Sequence, residues 1–520
     1  MKFLMILLTV FSISSVEGQI VRRTFRLDAV DSTQPQPSSN GVSQILISRG
    51  RVFLATDNGL NITTDGGSTF QTDFGNNSPT GLSVSAVAVK GDTIVTAIST
   101  TTEQNGESVA TGEGFYASMD DGQSCNKQSQ STDSTSDTSV VFGINTLRAL
   151  PIQTTAENIT YSLVFHKGYL YSAEWGGGLR RTDDLGKTWQ RVVLPPDYLD
   201  YINGDSSYSF QLSVQTNDKY NTNEANLNQE AFSLYSDGDS VLYVGTAGGI
   251  DKTTDNGHSW YKYDHANTSS GISGNFVVYL AGQNSGTVHY IWGATVVANG
   301  QTEKSALSYT TDCGLTWRHI LDGHFFHGMA FHDSTVVYGV SDDGLFRTAD
   351  FGQSSQVITN IYDPTTTQSI LSQSFYAVAV GGDSVWIGSG DGTAVGIDKG
   401  TGFDFNRWRV IKASTSKSLS GNPTYFYPNP FSPNNYVGRV HYVIKNAGSQ
   451  VTIRIFDFSM HIVRTLLQNA TRGPIPGQDF NEEAWDCKGI QGRLVDNGVY
   501  FFSVVVNGGS PQWGKIMVIR

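Results

Sequence analysis

Thr182-Asp183-Asp184-Leu185-Gly186-Lys187-Thr188-Trp189 is one copy of a turn that recurs seven times along this 520-residue chain. The pattern is Ser/Thr-x-Asp-x-Gly-x-Thr/Ser-aromatic, and residues 253–260 (TTDNGHSW) and 310–317 (TTDCGLTW) keep all of it. Residues 63–70 (TTDGGSTF) and 118–125 (SMDDGQSC) replace the final Trp, and 348–355 (TADFGQSS) lacks the aromatic. The last copy, 396–403 (GIDKGTGF), keeps only Asp398, Gly400 and Phe403. A unit that recurs at this spacing cannot bury its apolar face alone, so the repeat dictates the architecture.

Short apolar runs precede each turn. In the third unit they are 161–166, 170–174 and 179–182, and in the sixth 328–332, 336–340 and 345–348. Alternation bounded by Gly, Asp and Asn argues for strands, four per unit when the run after the turn is included. Seven four-stranded sheets packed radially make an all-β, seven-bladed β-propeller, which leaves only short protected edges. Six or eight blades stay open, because the seventh turn is degenerate, and residues 20–30 are a candidate outer strand for closing the ring.

The turn has a mechanical reading. Its Asp accepts from nearby backbone N–H groups, its Gly supplies a positive φ, and its aromatic packs between sheets. These segments resemble the Asp-box (BNR) repeats of sialidases, sortilin-type receptors and family 74 glucanases. The resemblance covers about 40–412 and implies that the box joins the third and fourth strands on the rim away from the working face. Asp65, Asp120, Asp184, Asp255, Asp312 and Asp350 are then structural residues. The expected organisation is a propeller over 20–412, a linker at 413–423 and a second module over 424–520.

That module opens Tyr427-Pro428-Asn429-Pro430-Phe431, continues through Trp485-Asp486 and Gly498-Val499-Tyr500-Phe501-Phe502, and ends on Lys515-Ile516-Met517-Val518-Ile519-Arg520. Short strands with Pro and Gly turns suggest a small Ig-like β-sandwich. The stretch resembles FlgD-like immunoglobulin modules and the type A sorting domains of the type IX secretion system. This implies contact with secretion machinery. Cys487 departs from the family pattern, which has glycine there, and implies an altered turn.

Residues 1–19 read as a secretory signal peptide: Lys2, an apolar stretch from Phe3 to Ile13, and small residues at Val16 and Gly18. No later segment reaches spanning length, so the expected mature chain has no transmembrane segment and is secreted or on the outer surface of a bacterium. Cys125, Cys313 and Cys487 make neither a disulfide framework nor a metal spacing, and read as packing residues. The net charge is -13, with nine Lys/Arg against six Asp/Glu from residue 424 onward. That balance excludes a nucleic-acid footprint.

The long inserts fall at 100–114, 126–158, 196–229 and 298–304, all expected on the face opposite the boxes, where repeat scaffolds build binding sites. Trp175, Tyr201, Tyr208 and Tyr220 are the candidate ligand-stacking residues; packing the insert onto the ring is the competing reading. Asp57, Glu174, Asp342 and Asp391 are the candidate carboxylates for glycoside hydrolysis, against ordinary Asp-Gly turn chemistry. Active sialidases place an Arg-Ile-Pro-like motif ahead of the first box; here Arg49 and Arg51 lie in SRGRVF, which argues against a sialidase. His324, His327 and His332 have no accompanying ligand set, and residues 131–139 read as a mobile polar loop. No metal and no cofactor is expected. The expected function is a non-enzymatic binding or scaffolding module for extracellular polysaccharide or a surface protein. An extracellular glycoside hydrolase is the alternative.

Overall fold

The computed structural model describes residues 36–519 apart from 73, 75–80, 105–106, 214–225, 267–269, 286–287, 299, 334, 367, 414–423, 428, 430, 434–436 and 476–479. The signal-peptide segment, the candidate strand at 20–30, Tyr220 and nearly all of the linker lie outside the described residues. Among the described residues there is no α-helix.

Among the described residues, seven antiparallel sheets follow one another in chain order to form the ring. Their first strands are Val42–Ser48, Ser83–Lys90, Thr160–His166, Ala231–Asp237, Phe276–Ser285, Phe326–His332 and Phe375–Gly381. Each first strand packs against the next, and the seventh returns to the first, so the sheets form a propeller-like ring. The third sheet shows the local logic. Thr160–His166 turns at Lys167-Gly168, both at positive φ, into Tyr169–Glu174, and Gly178–Thr182 and Gln190–Arg191 complete it. The first sheet has three described strands, with one further bridge from Ile62 to Gln71.

The core is divided. One apolar cluster fills each crevice between neighbouring sheets. The repeat aromatics supply several of them: Phe70, Trp260 and Trp317 are buried, and the half-buried Trp189 ring lies 4.8 Å from Phe115. The closing crevice joins Val42, Ile45, Val52 and Leu54 to Ala377, Trp386, Val395 and Ile411. Among the described residues, side-chain packing joins the two ends of the ring.

Three inserts differ from a simple loop reading. Residues 100–114 are largely ladder: Thr93–Gln104 and Glu107–Ser118 pair as far as Gln104 opposite Glu107. The inserts at 126–158 and 196–229 meet in a small sheet of Ser139–Phe142, Asn145–Ala149 and Gln211–Leu212, while Tyr201–Asn203 adds a fifth strand to the fourth sheet. Beyond the ring, sheets of three and four strands pack over a core that includes Phe431, Val440, Ile453, Trp485, Phe502 and Val518. Cys487 adopts φ 59 in this module, the left-handed region that glycine favours. Cys125 and Cys487 are buried, whereas Cys313 is exposed at φ 62 in its repeat turn and is not a core packing residue.

Candidate functional site

Antiparallel order gives the ring two unlike faces. The repeat turns join third to fourth strands and share a face with the hairpins between first and second strands; Asp121, for example, donates its N–H to Asp92 O at 2.9 Å. The turns between second and third strands, and the connections from one sheet to the next, lie on the other face. That second face is called the loop face below.

On the repeat-turn face every box carboxylate is engaged by its own turn. Asp65, Asp120, Asp184, Asp255, Asp312 and Asp350 each accept the hydroxyl four residues on, at 2.5–2.7 Å. Each also accepts the N–H of that same residue at 2.8–2.9 Å. Hydroxyl bonds from Thr69, Ser124 and Ser354 hold Asp65, Asp120 and Asp350 below the usual carboxylate range. Burial pushes Asp184, Asp255 and Asp312 upward, but their turn bonds outweigh it and leave them lowered, Asp184 to about 2. The degenerate seventh turn compensates for its missing hydroxyls. Asp398 keeps the N–H of Gly402 at 3.1 Å and recruits Tyr338 Oη at 2.6 Å and Arg347 Nε at 2.5 Å from the sixth sheet.

The four candidate carboxylates of the loop face separate into two kinds. Glu174 is fully buried. Ser131 and Ser172 donate hydroxyls to its Oε1 at 2.5 and 2.8 Å, and Arg180 Nε lies 3.6 Å from Oε2. Burial outweighs Arg180 and pushes Glu174 up to about 7. Arg180 forks onto Asp133 at 2.8 and 3.1 Å, and Arg191 also reaches Asp133. Ser131 and Asp133, at the start of the polar loop 131–139, are therefore anchored, because their side chains satisfy a buried glutamate and two arginines.

Asp391 is buried too, in the turn between second and third strands of the seventh sheet. Lys412 Nζ lies 2.7 Å from its Oδ1, and Arg439 from the C-terminal module donates to both oxygens at 2.8–3.1 Å. Arg439 also donates to Ser369 O at 2.7 Å and faces Glu482, which accepts from Tyr427. Asp391 thus joins the ring to the C-terminal module.

Asp342 and Asp57 are the more accessible pair. His327 Nε2 contacts Asp342 Oδ1 at 2.9 Å, and the His327 ring lies 5.2 Å from Tyr376. Burial, followed by the charges of Asp342 and Asp57, pushes Tyr376 up to about 12, so both carboxylates act on one phenol. His324 pairs with Asp343 at 2.7 Å and His332 with Asp333 at 2.9 Å, each histidine having its own aspartate.

The aromatic candidates also divide. Trp175 is half-buried among Leu227, Phe232 and Phe276, with its indole bonded to Glu230. Burial pushes Glu230 up to about 8. Tyr208 packs beside Phe142 and Phe210 and accepts the N–H of Asn203 at 3.1 Å, so it ties the two inserts together. Tyr201 is exposed and its ring lies 4.6 Å from that of the exposed Tyr261, tilted at 44°, at the outer edge. The structure does not bring Tyr201 and Tyr208 together with Trp175 in one groove.

One feature escaped the sequence reading. All seven first strands carry a β-bulge at their loop-face end, which leaves one residue unpaired in each: Ser43, Ser85, Tyr161, Phe232, Val278, His327 and Tyr376. Bulges re-aim side chains and recur beside functional sites. Tyr161 meets Phe232 at 5.2 Å, and Phe325 meets His327 at 4.9 Å. The bulge residues therefore surround the axis with aromatic side chains in the third, fourth, sixth and seventh sheets, Val278 in the fifth and serines in the first two. The signal was present as residues at corresponding places in each unit, but their identities vary and no fixed motif marks them.

No family model matches this chain, and no curated protein matches it. Among solved structures it is similar to YCF48 from Cyanidioschyzon merolae, at 13% identity and a TM-score of 0.41, over 70% of this chain and 97% of that one. It is also similar to the extracellular domain of the putative one component system BT4673 from B. thetaiotaomicron, at 11% identity and a TM-score of 0.29, over 95% and 75% of the two chains. A third is PorZ, a surface component of the type-IX secretion system of Porphyromonas gingivalis, at 13% identity and a TM-score of 0.20, over 95% and 88%. These are β-propeller-like proteins, and likeness at this level carries no argument about function.

Proposed function

We propose that this chain is an exported bacterial surface protein in which a seven-bladed Asp-box propeller serves as a non-enzymatic binding or scaffolding module. The C-terminal module is read as an Ig-like sandwich that directs secretion or surface attachment. The division of labour between the two faces carries the proposal. The box acids hold their own turns on one face, while the other gathers the inserts, the bulge residues and the junction with the C-terminal module.

The hydrolase alternative needs two carboxylates across an open cleft. Glu174 and Asp391 are each tied to arginine inside the protein, which supports the binding reading over hydrolysis by that pair. The C-terminal four-stranded sheet leaves Phe458, Ile462 and Trp513 exposed, an apolar surface of the kind that marks contact sites.

The test is to incubate the purified full chain with extracellular polysaccharides, scoring both retention on immobilised polysaccharide and release of reducing ends. Retention without release, or binding to a surface protein alone, is the expected outcome. Release of reducing ends that disappears in Asp57→Asn and Asp342→Asn variants contradicts it.

A further inference from the structure

The loop-face end of the ring axis has a chemistry more specific than a general binding face. Tyr161 and Phe232 meet at 5.2 Å across the third and fourth sheets, and Phe325, His327 and Tyr376 form a second group across the sixth and seventh at 4.9–5.2 Å, with Val278 of the fifth sheet between the two groups. Ser43 and Ser85 occupy the same structural position in the first and second sheets, so the arc opens on that side. Around it stand carboxylates. Asp342 lies 2.9 Å from His327, and Asp342 and Asp57 both act on Tyr376.

Aromatic faces beside carboxylates select organic cations. A ring quadrupole attracts an ammonium or guanidinium, and the planar guanidinium both stacks on rings and forks onto carboxylates. The net charge of -13 favours encounter with such a partner. The arc presents two separate ring groups, which one small cation would not bridge, and so suits a chain segment presenting successive side chains. Resting on the binding-module reading, the geometry points to a site for an arginine- or lysine-rich peptide segment of an extracellular partner, held by the Tyr161–Tyr376 arc and the carboxylates of Asp57 and Asp342.

The experiment titrates a fluorescein-labelled hexa-arginine peptide with the full chain and follows anisotropy at physiological salt, where diffuse surface attraction is screened. Tyr161→Ser and Tyr376→Ser place at two bulges the residue that already occupies the first and second. Asp342→Asn alters an accessible side chain. Leu315→Ser, on the repeat-turn face, is the control. Saturable binding, weakened at least about tenfold by each serine variant, several-fold by Asp342→Asn and not at all by Leu315→Ser, is the expected result; a loss of about tenfold is typical of truncating an interface anchor. Thermal melts identify any serine variant that fails to fold, and Asp342→Asn then decides. No saturable binding, or equal binding by every variant, overturns the inference. Polysaccharide binding at this face without peptide binding also overturns it but leaves the binding-module reading standing. Polysaccharide cleavage dependent on Asp57 and Asp342 overturns that reading itself.

Discussion

Asp184 and Glu174 flank one strand, Gly178–Thr182, and their environments push their acidities in opposite directions. Asp184 lies on the repeat-turn face, where hydrogen bonds from Thr188 and Thr182 hold it at about 2 despite burial. Its stabilising bonds are present above the ordinary carboxylate range and are lost as pH falls toward 2. Asp184→Ala is expected to cost roughly 1–2 kcal/mol in urea unfolding, the range for losing one side-chain cap of backbone donors. Glu174 and Glu230 behave inversely. Burial raises them to about 7 and about 8, so between pH 4.5 and 8 the folded chain holds protons that the unfolded chain has released. Stability therefore declines as pH rises through that window. Glu230→Gln is expected to flatten the decline, read as melting temperature against pH; an unchanged slope contradicts the assignment.

At the scale of the element, ring closure depends on packing in the crevice between seventh and first sheets. Trp386 is buried there against Val52 and Leu54, and Trp386→Ala is expected to cost about 3–5 kcal/mol, the usual penalty for deleting a large core side chain. A loss below about 1 kcal/mol would mean that closure lies elsewhere. The strands and repeat turns were legible because their signals are local: alternating apolar residues, and an Asp, a Gly and hydroxyls at fixed spacing. The bulges were not legible, because a register shift belongs to a strand pair and any residue can occupy it. The sequence also grouped Asp57, Glu174, Asp342 and Asp391 as equivalent acids. Their difference comes from Arg180 and from Arg439, a residue of another module, and no local spacing reveals such a partner.

Across the whole molecule, Asp391, Lys412, Arg439 and Glu482 tie the C-terminal module to the loop face of the seventh sheet. Arg439→Ala leaves Asp391 short of a buried partner, a change that typically costs 3–5 kcal/mol, roughly, at such pairs. The expected consequence is undocking: a larger radius of gyration by small-angle scattering and faster proteolysis within 413–423, with the ring still folded. An unchanged radius would show that other contacts hold the module. The junction sits close to the arc, since a Cβ added at Gly390 would lie 3.8 Å from the Tyr376 ring. Docking therefore places the module beside the proposed site. The central claim is that one face of the ring binds while the other only supports it, and hydrogen exchange of the full chain with and without hexa-arginine peptide tests it most directly. The account predicts protection at the loop-face ends of the first strands, around 160–163, 231–234, 326–329 and 375–378, with the repeat turns unchanged. Protection centred on the repeat turns at 182–189, 253–260 and 310–317 would contradict it.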